Sequence, residues 1–319
     1  MSAFVRTVLG DVDPETLGPT SGHDHLLVFP SACSDLPERI LLDDYDRTRE
    51  EVLRFRRRGG GGVVELTPFG AGRHPLYLEK LSVETGIRIV ASTGFHKAGF
   101  YRDAFWAFGA STAQIADLFT GEIERGMFEF DPLDPFARRS GVRAGAIKIA
   151  TDENGLTEYY RRVFDAGALA HARTGAPIFT HTELSKGGLE QADHLIGLGV
   201  RASSVVIGHM DRVIDLAANL EIAGRGVFLA YDTIARFKYH SDEEEAGLIE
   251  AMVKEGFGDR ILLGMDSTKG RFLSYGGEFG LDYIVRDFCG LLGKRGISQE
   301  QVRSMLVENP RAALTMRAA

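Results

Sequence analysis

The sequence predicts an α/β chain folded as a TIM (β/α)8 barrel. Three observations carry that expectation: eight short apolar runs follow one another along the chain, longer segments of helical periodicity lie between them, and 319 residues is a length such barrels fill as a single domain. A doubly wound open sheet is the competing reading of the same alternation, but eight strand–helix units close naturally on themselves. The expected organisation is one domain over residues 1–319, with a short N-terminal extension and loop insertions.

In chain order, the opening "MSAFVRTVLGDVDPETLG" has no apolar signal-peptide core and reads as the extension. The first strand is "GPTSGHDHLL", followed by a helix over "DDYDRTREEVLRF" whose basic end, "RFRRR", suits a helix C-terminus. "GVVELTP" and "RIVASTGF" are strands two and three. A helix over "STAQIADLFTGEIERG" starts at a capping box, Ser111 with Gln114, and the proline-containing interval from Gly126 to Arg143 is an irregular surface insertion. Strand four is "AGAIKIATD"; the helix "TEYYRRVFDAGALAHARTG" ends at Gly175, a position suited to a C-terminal cap. "PIFTHTE", "VVIGHMDR" and "VFLAYDTI" supply strands five to seven. Ser241 and Glu244 form a second capping box for "SDEEEAGLIEAMVKEG", Gly256 caps its far end, and "ILLGMDST" is strand eight.

Composition narrows the function. A formal charge of −8 argues against a general nucleic-acid binder, whose footprint is basic. No stretch approaches ~18 uninterrupted apolar residues, so no membrane span is expected. Two cysteines, Cys33 and Cys289, are too few for a disulfide framework and fit a reducing compartment, so a cytoplasmic location is expected. The expected partner is a small-molecule substrate, with a homodimer as the one assembly allowed for.

Strand four poses a question: Lys148 stands among Ala, Ile and Ile, where an ammonium loses hydration that an apolar wall cannot replace. Chemistry in this fold sits at the C-terminal ends of the strands. There the sequence places His23 and His25 on strand one, Lys148 on four, His181 on five, His209 on six and Asp266 on eight. His23 and His25 are two apart, so on a strand they face the same side and can grip one cation. Each residue also has a structural reading: satisfied core histidines, a helix-capping aspartate, a salt-bridged or snorkelling lysine. Their joint position at one barrel rim favours a metal site. Apolar surroundings lower a lysine's pKa, and the neutral amine can take up carbon dioxide as a carbamate able to bridge two cations.

These residues, with the opening "VRTVLGDVDPETLGPTSGHDHL", the run "TGAPIFTHT" and "VIGHMDR", closely resemble the phosphotriesterase family of the amidohydrolase superfamily. The resemblance runs from about residue 5 to the final "ENPRAAL". It implies a metal-dependent hydrolase in which His23, His25 and Asp266 hold the more buried divalent metal and His181 and His209 the more exposed one. Carboxylated Lys148 and a hydroxide would bridge the two, with Asp266 taking and returning the proton. Imidazole and carboxylate ligands suit zinc; manganese or cobalt fit the same geometry.

The family divides into phosphotriesterases, acyl-homoserine lactonases and lactonases for phosphorylated sugars, so specificity has to come from the loops. "GFHKAGFYRD", "YDTIARFKYH" and "STKGRFLSYGGEFG" carry Lys97, Arg236, Lys238, Lys269 and Arg271, a basic cluster over the mouth of an acidic protein. Together with His96, Tyr101 and Tyr275, the residues Lys97, Lys238 and Arg271 make the expected substrate-binding set. His96 stands where many lactonase-like members carry tyrosine, and Asp24 replaces a frequent glutamate but points away from the metal face. Asp232 ends strand seven and is a further catalytic candidate, as proton relay or acceptor for a substrate hydroxyl. The expected activity is therefore opening of a phosphorylated or otherwise anionic sugar lactone. Hydrolysis of neutral hydrophobic lactones or organophosphate esters is the alternative, and a non-catalytic binding barrel a minor one.

Overall fold

The computed structural model describes residues 3–129 and 138–317; within the predicted Gly126–Arg143 insertion, residues 130–137 lie outside the described part. Two N-terminal strands, β1 (Ala3–Thr7) and β2 (Gly10–Val12), precede the barrel. The eight predicted strands follow as β3 (Thr20–Asp24), β4 (Gly62–Glu65), β5 (Arg88–Gly94), β6 (Ala146–Lys148), β7 (Ile178–Phe179), β8 (Val205–Ile207), β9 (Phe228–Tyr231) and β10 (Ile261–Leu263). Each pairs in parallel with its sequence neighbours. The ring closes where the backbone N–H groups of Met265 and Asp266 both donate to the carbonyl of His23, each at 3.1 Å. A side chain at Gly264 would put its Cβ 2.9 Å from the His23 backbone, so the seam requires glycine there.

The first strand of the chain was expected only as an extension, yet it is tied down. β1 pairs antiparallel with β2 and with β11 (Met316–Arg317), so both ends of the described chain meet under the barrel. Val5, Leu17 and Leu314 belong to the interior cluster with Val64, Val90, Ala146, Phe179, Val206, Phe228 and Leu262, and plug its floor.

Helices α1 (Tyr45–Arg57), α2 (Pro75–Thr85), α3 (Thr112–Glu124), α4 (Glu158–Thr174), α5 (Gly188–Gly197), α6 (Leu216–Ala223) and α7 (Asp242–Lys254) lie between successive strands. Both capping boxes form, Gly175 ends α4 in the left-handed region, and α1 carries three arginines in its last turn. The outward face of the strands packs on these helices: Ile147 of the fourth barrel strand and Ile149 just past its end enter that outer core, while Ala146 points into the barrel. Strand alternation then turns Lys148 inward, one layer above Ala146.

Candidate metal centre

The rim is where the regular strands stop. Lys148 is the last residue of β6, His25 follows β3 directly, and His181, His209 and Asp266 lie just past the ends of β7, β8 and β10. Two of them are held in the left-handed region that non-glycine residues avoid, His209 at φ 60° and Asp266 at φ 46°. Such a conformation costs about 1–3 kcal/mol and persists where surrounding contacts over-determine it. Gly94, at φ 106°, lets β5 press on β6: a Cβ there would fall 1.8 Å from the Lys148 carbonyl.

One carboxylate organises the imidazoles. Asp232 accepts from His23 Nδ1 at 2.6 Å through one oxygen and from His209 Nδ1 at 2.6 Å through the other. Against the upward pull of burial, these two imidazoles hold the Asp232 carboxyl well below the usual carboxylate range. Burial keeps the imidazoles neutral, pushing His23 down to about 4 and His209 to about 3. With both Nδ1 protons committed to Asp232, each Nε2 presents a bare lone pair. His25 is fixed in the same sense, with Nδ1 2.8 Å from the Thr67 hydroxyl, which itself donates to Glu65.

The bare atoms converge. His23 Nε2 is buried without a hydrogen-bond partner. It lies 3.7 Å from Asp266 Oδ1, and His25 Nε2 lies 3.2 Å from the same oxygen. His209 Nε2 faces His181 Nδ1 at 2.8 Å. Groups that only accept repel one another at these distances unless a cation lies between them, so His23, His25 and Asp266 fit a divalent metal ion. His209 Nε2 and His181 Nδ1 add a further pair of imidazole nitrogens to the rim. Lys148, 1% exposed, lines the same cavity as these residues with Nζ 3.2 Å from the Thr180 carbonyl, and burial pushes its ammonium down to about 8. The answer to the buried lysine is that it belongs to this site.

Asp266 is gripped from both sides. Oδ1 faces the histidines, while Oδ2 lies 3.2 Å from Arg212 and 3.1 Å from Arg236. Against burial, Arg236 and then His25 and His23 keep its carboxyl well below the usual value.

Above these residues opens a cavity of about 360 Å3. Its apolar lining includes Leu36, Ile40, Pro68 and Phe100. His96 lies in it, stacked on Phe100 at 3.9 Å with Nδ1 accepting from the Lys97 backbone N–H. Lys97 and Lys238 also line it.

Five side chains lie elsewhere than the sequence suggests. Arg271 does not reach the cavity: its buried guanidinium donates to the carbonyls of Ala235, at 3.0 Å, and Ile234, holding the loop after β9. Tyr101 is buried beside the site, accepting from the His96 N–H and donating to the Phe69 carbonyl; it positions His96 from behind. The Tyr275 hydroxyl bonds Asp44 and Thr48 near the start of α1. Asp232 is fully buried with both oxygens engaged by imidazoles and does not line the cavity, so it cannot accept from a substrate hydroxyl. Lys269, part of the expected cluster, pairs instead with Glu38 at 3.1 Å. Conversely, the cavity includes Arg39, Glu183, Arg212 and Tyr239, which the sequence reading passed over. Arg212, three residues after His209, was findable from its place beside a strand-end ligand; Arg39 lies in a long connection with no periodic signal.

The family model of the phosphotriesterase family matches residues 3–314. The chain belongs to the phosphotriesterase family. It is 34% identical to the phospho-furanose lactonase of Mycoplasmopsis synoviae (strain 53), covering 98% of this chain and 91% of that protein. The crystal structure of an amidohydrolase from Mycoplasma synoviae superposes with a TM-score of 0.93 at 32% identity, covering 98% of this chain and 92% of that one. The phosphotriesterase homology protein of Escherichia coli, in complex with phosphate in its active site, superposes at 0.85 with 33% identity, covering 95% and 100%. As a phosphotriesterase-family protein the chain is a hydrolase of the lactonase and phosphotriesterase-like group, and among its described residues no helix is long and apolar enough to cross a membrane.

Proposed function

We propose that this phosphotriesterase-family chain is a binuclear metal-dependent lactonase for a small anionic lactone, with a phosphorylated sugar lactone as substrate class. The observation that carries the reading is the charge of the cavity. Apart from Lys148, five cations line it, Arg39, Lys97, Arg212, Arg236 and Lys238, against two carboxylates, Glu183 and Asp266. That excess stands in a protein of net charge −8. Concentrating positive charge in a cleft of an acidic chain attracts and holds an anion. The relatives' names point the same way, one being a phospho-furanose lactonase and another having been crystallised with phosphate in its active site. A cavity of about 360 Å3 is at the small end of ligand pockets and suits a sugar-sized ring better than a long acyl chain.

Bound divalent ions, zinc with manganese or cobalt as alternatives, would supply Lewis acidity toward the lactone carbonyl and lower the pKa of the attacking water. The protein's own groups do the rest. Asp232 and Thr67 hold the histidines in the tautomers that ligate. Lys148, as its carbamate, would supply an anionic ligand. Asp266 accepts the water's proton at Oδ1 while Arg212 and Arg236 fix Oδ2, and returns it to the ring oxygen as the acyl C–O bond breaks to give the hydroxy acid. Arg39 and Lys238, both exposed and without a carboxylate partner among the described residues, hold the phosphate away from the ring.

The test is metal analysis of the purified protein followed by a lactone panel with and without phosphate. A charge-assisted hydrogen bond contributes about 1.5–3 kcal/mol, so Arg39→Met or Lys238→Met should lower kcat/KM for a phosphorylated lactone roughly 10- to 150-fold and leave its unphosphorylated counterpart nearly unchanged. Wild-type preference for neutral long-chain lactones or phosphotriesters would sink the reading.

A further inference from the structure

The mechanism above leaves one cavity carboxylate without a task. Glu183 lies two residues beyond the metal-ligand candidate His181, and its Oε2 forms an ion pair with Lys97 Nζ and lies 3.5 Å from His181 Nε2. Its Oε1 is 3.9 Å from Arg212 Nη1. The pair is partly open to the cavity, Lys97 and Glu183 each 23% exposed at the side chain. Lys97 has no other carboxylate partner among the described residues, and Arg212 engages Asp266 through its other terminal nitrogen, Nη2.

The backbone holds this carboxylate in place. Leu184 and Ser185, the next two residues, are left-handed at φ 50° and 59°. Ser185 Oγ donates to the His209 carbonyl at 2.8 Å and accepts from Val213 N–H at 3.2 Å. An exposed loop with freedom to relax would not keep two consecutive non-glycine residues there. The tight turn fixes Glu183 between the β7 and β8 ends, facing two cations that would otherwise bind any anion entering the cleft.

We propose that Glu183 is a specificity-determining residue, an internal anion that competes with substrate and product anions for Lys97 and Arg212. The inference rests on the anionic-substrate reading and deepens it. Ring opening adds a carboxylate to a molecule that already carries a charged group, so the product is the more anionic species. An unopposed pair of cations beside the metals would retain it. Glu183 weakens that retention, leaving the rim cations Arg39 and Lys238 to capture substrate.

The experiment uses the metal-loaded enzyme, with inorganic phosphate as probe and its inhibition constant as readout, alongside product inhibition and metal content. Glu183→Gln keeps the shape and removes the charge. Removing a like charge a few ångströms from the anion should tighten phosphate binding by about tenfold, and by at most about 100-fold given the partial exposure of the pair. Glu183→Asp, which restores the charge, should bring the constant back toward wild type. Adding Lys97→Met to Glu183→Gln should abolish the gain, because the cation released by the first change is then absent. Phosphate binding no tighter in Glu183→Gln, or a gain that persists without Lys97, overturns the proposal. If wild type prefers neutral lactones while the Lys97-dependent gain appears, Glu183's role stands and the substrate assignment falls.

Discussion

Replacing Asp232 by Asn separates the two tasks that a buried carboxylate in this position could perform. Asp232 accepts two Nδ1–H bonds, each 2.6 Å long, from His23 and His209. Asn offers one carbonyl oxygen and one amide nitrogen, so one imidazole keeps its acceptor while the other meets a donor. That second ring must move its proton to Nε2, the atom that faces the cation position. Losing a hydrogen bond to a charged acceptor costs about 1.5–3 kcal/mol, equivalent to 10- to 150-fold in metal affinity. That range agrees with the usual cost of removing a ligand's orienting partner, roughly 10- to 100-fold. Metal affinity measured by competition with a chelator should fall by that factor in Asp232→Asn, and excess metal should restore much of kcat. The reasoning is refuted if the variant binds metal like wild type and still loses kcat, since Asp232 would then carry protons rather than orient ligands.

Lys148→Ala should lower metal content and hydrolysis together, and short carboxylic acids should restore part of both; full metal occupancy with normal activity would remove the carbamate. Burial lowers the Lys148 pKa to about 8, so its neutral, reactive form grows as pH rises toward that value and levels off above it. Reconstitution of metal-free protein with metal, at a fixed concentration of dissolved carbon dioxide, should accelerate from about pH 6 through about 8 and flatten above that, and a rate independent of pH over the rising interval would contradict the assignment. Arg271→Met should destabilise without changing specificity: it orphans the Ala235 and Ile234 carbonyls, at about 1–3 kcal/mol each, so the melting temperature falls while the ratio of kcat/KM for phosphorylated and unphosphorylated lactones stays constant. A selective loss on the phosphorylated substrate would put Arg271 back in the binding site.

The barrel and the donor atoms of its rim were readable in the sequence because both depend on short-range regularities. Eight apolar runs mark eight strands, and a residue's parity on a strand decides whether it faces the barrel interior or the helices. His23 and His25, two apart, had to share a face, and Lys148, two beyond Ala146, had to point inward. The pairing of β1 with β11 had no such signal, since its partners stand at opposite ends of the chain. The substrate-binding residues were read least well. Arg271 has the charge and the loop expected of a phosphate ligand, yet its side chain turns back to the carbonyls after β9. Arg39, from a connection without periodicity, and Glu183, two residues past His181 at the end of the fifth strand run, reach the cavity instead. A strand constrains a short side chain through its own backbone, so local sequence determined the metal-site candidates. The head of a long arginine or lysine goes wherever distant segments leave carbonyls, carboxylates or open water, and only the folded chain decides where those are.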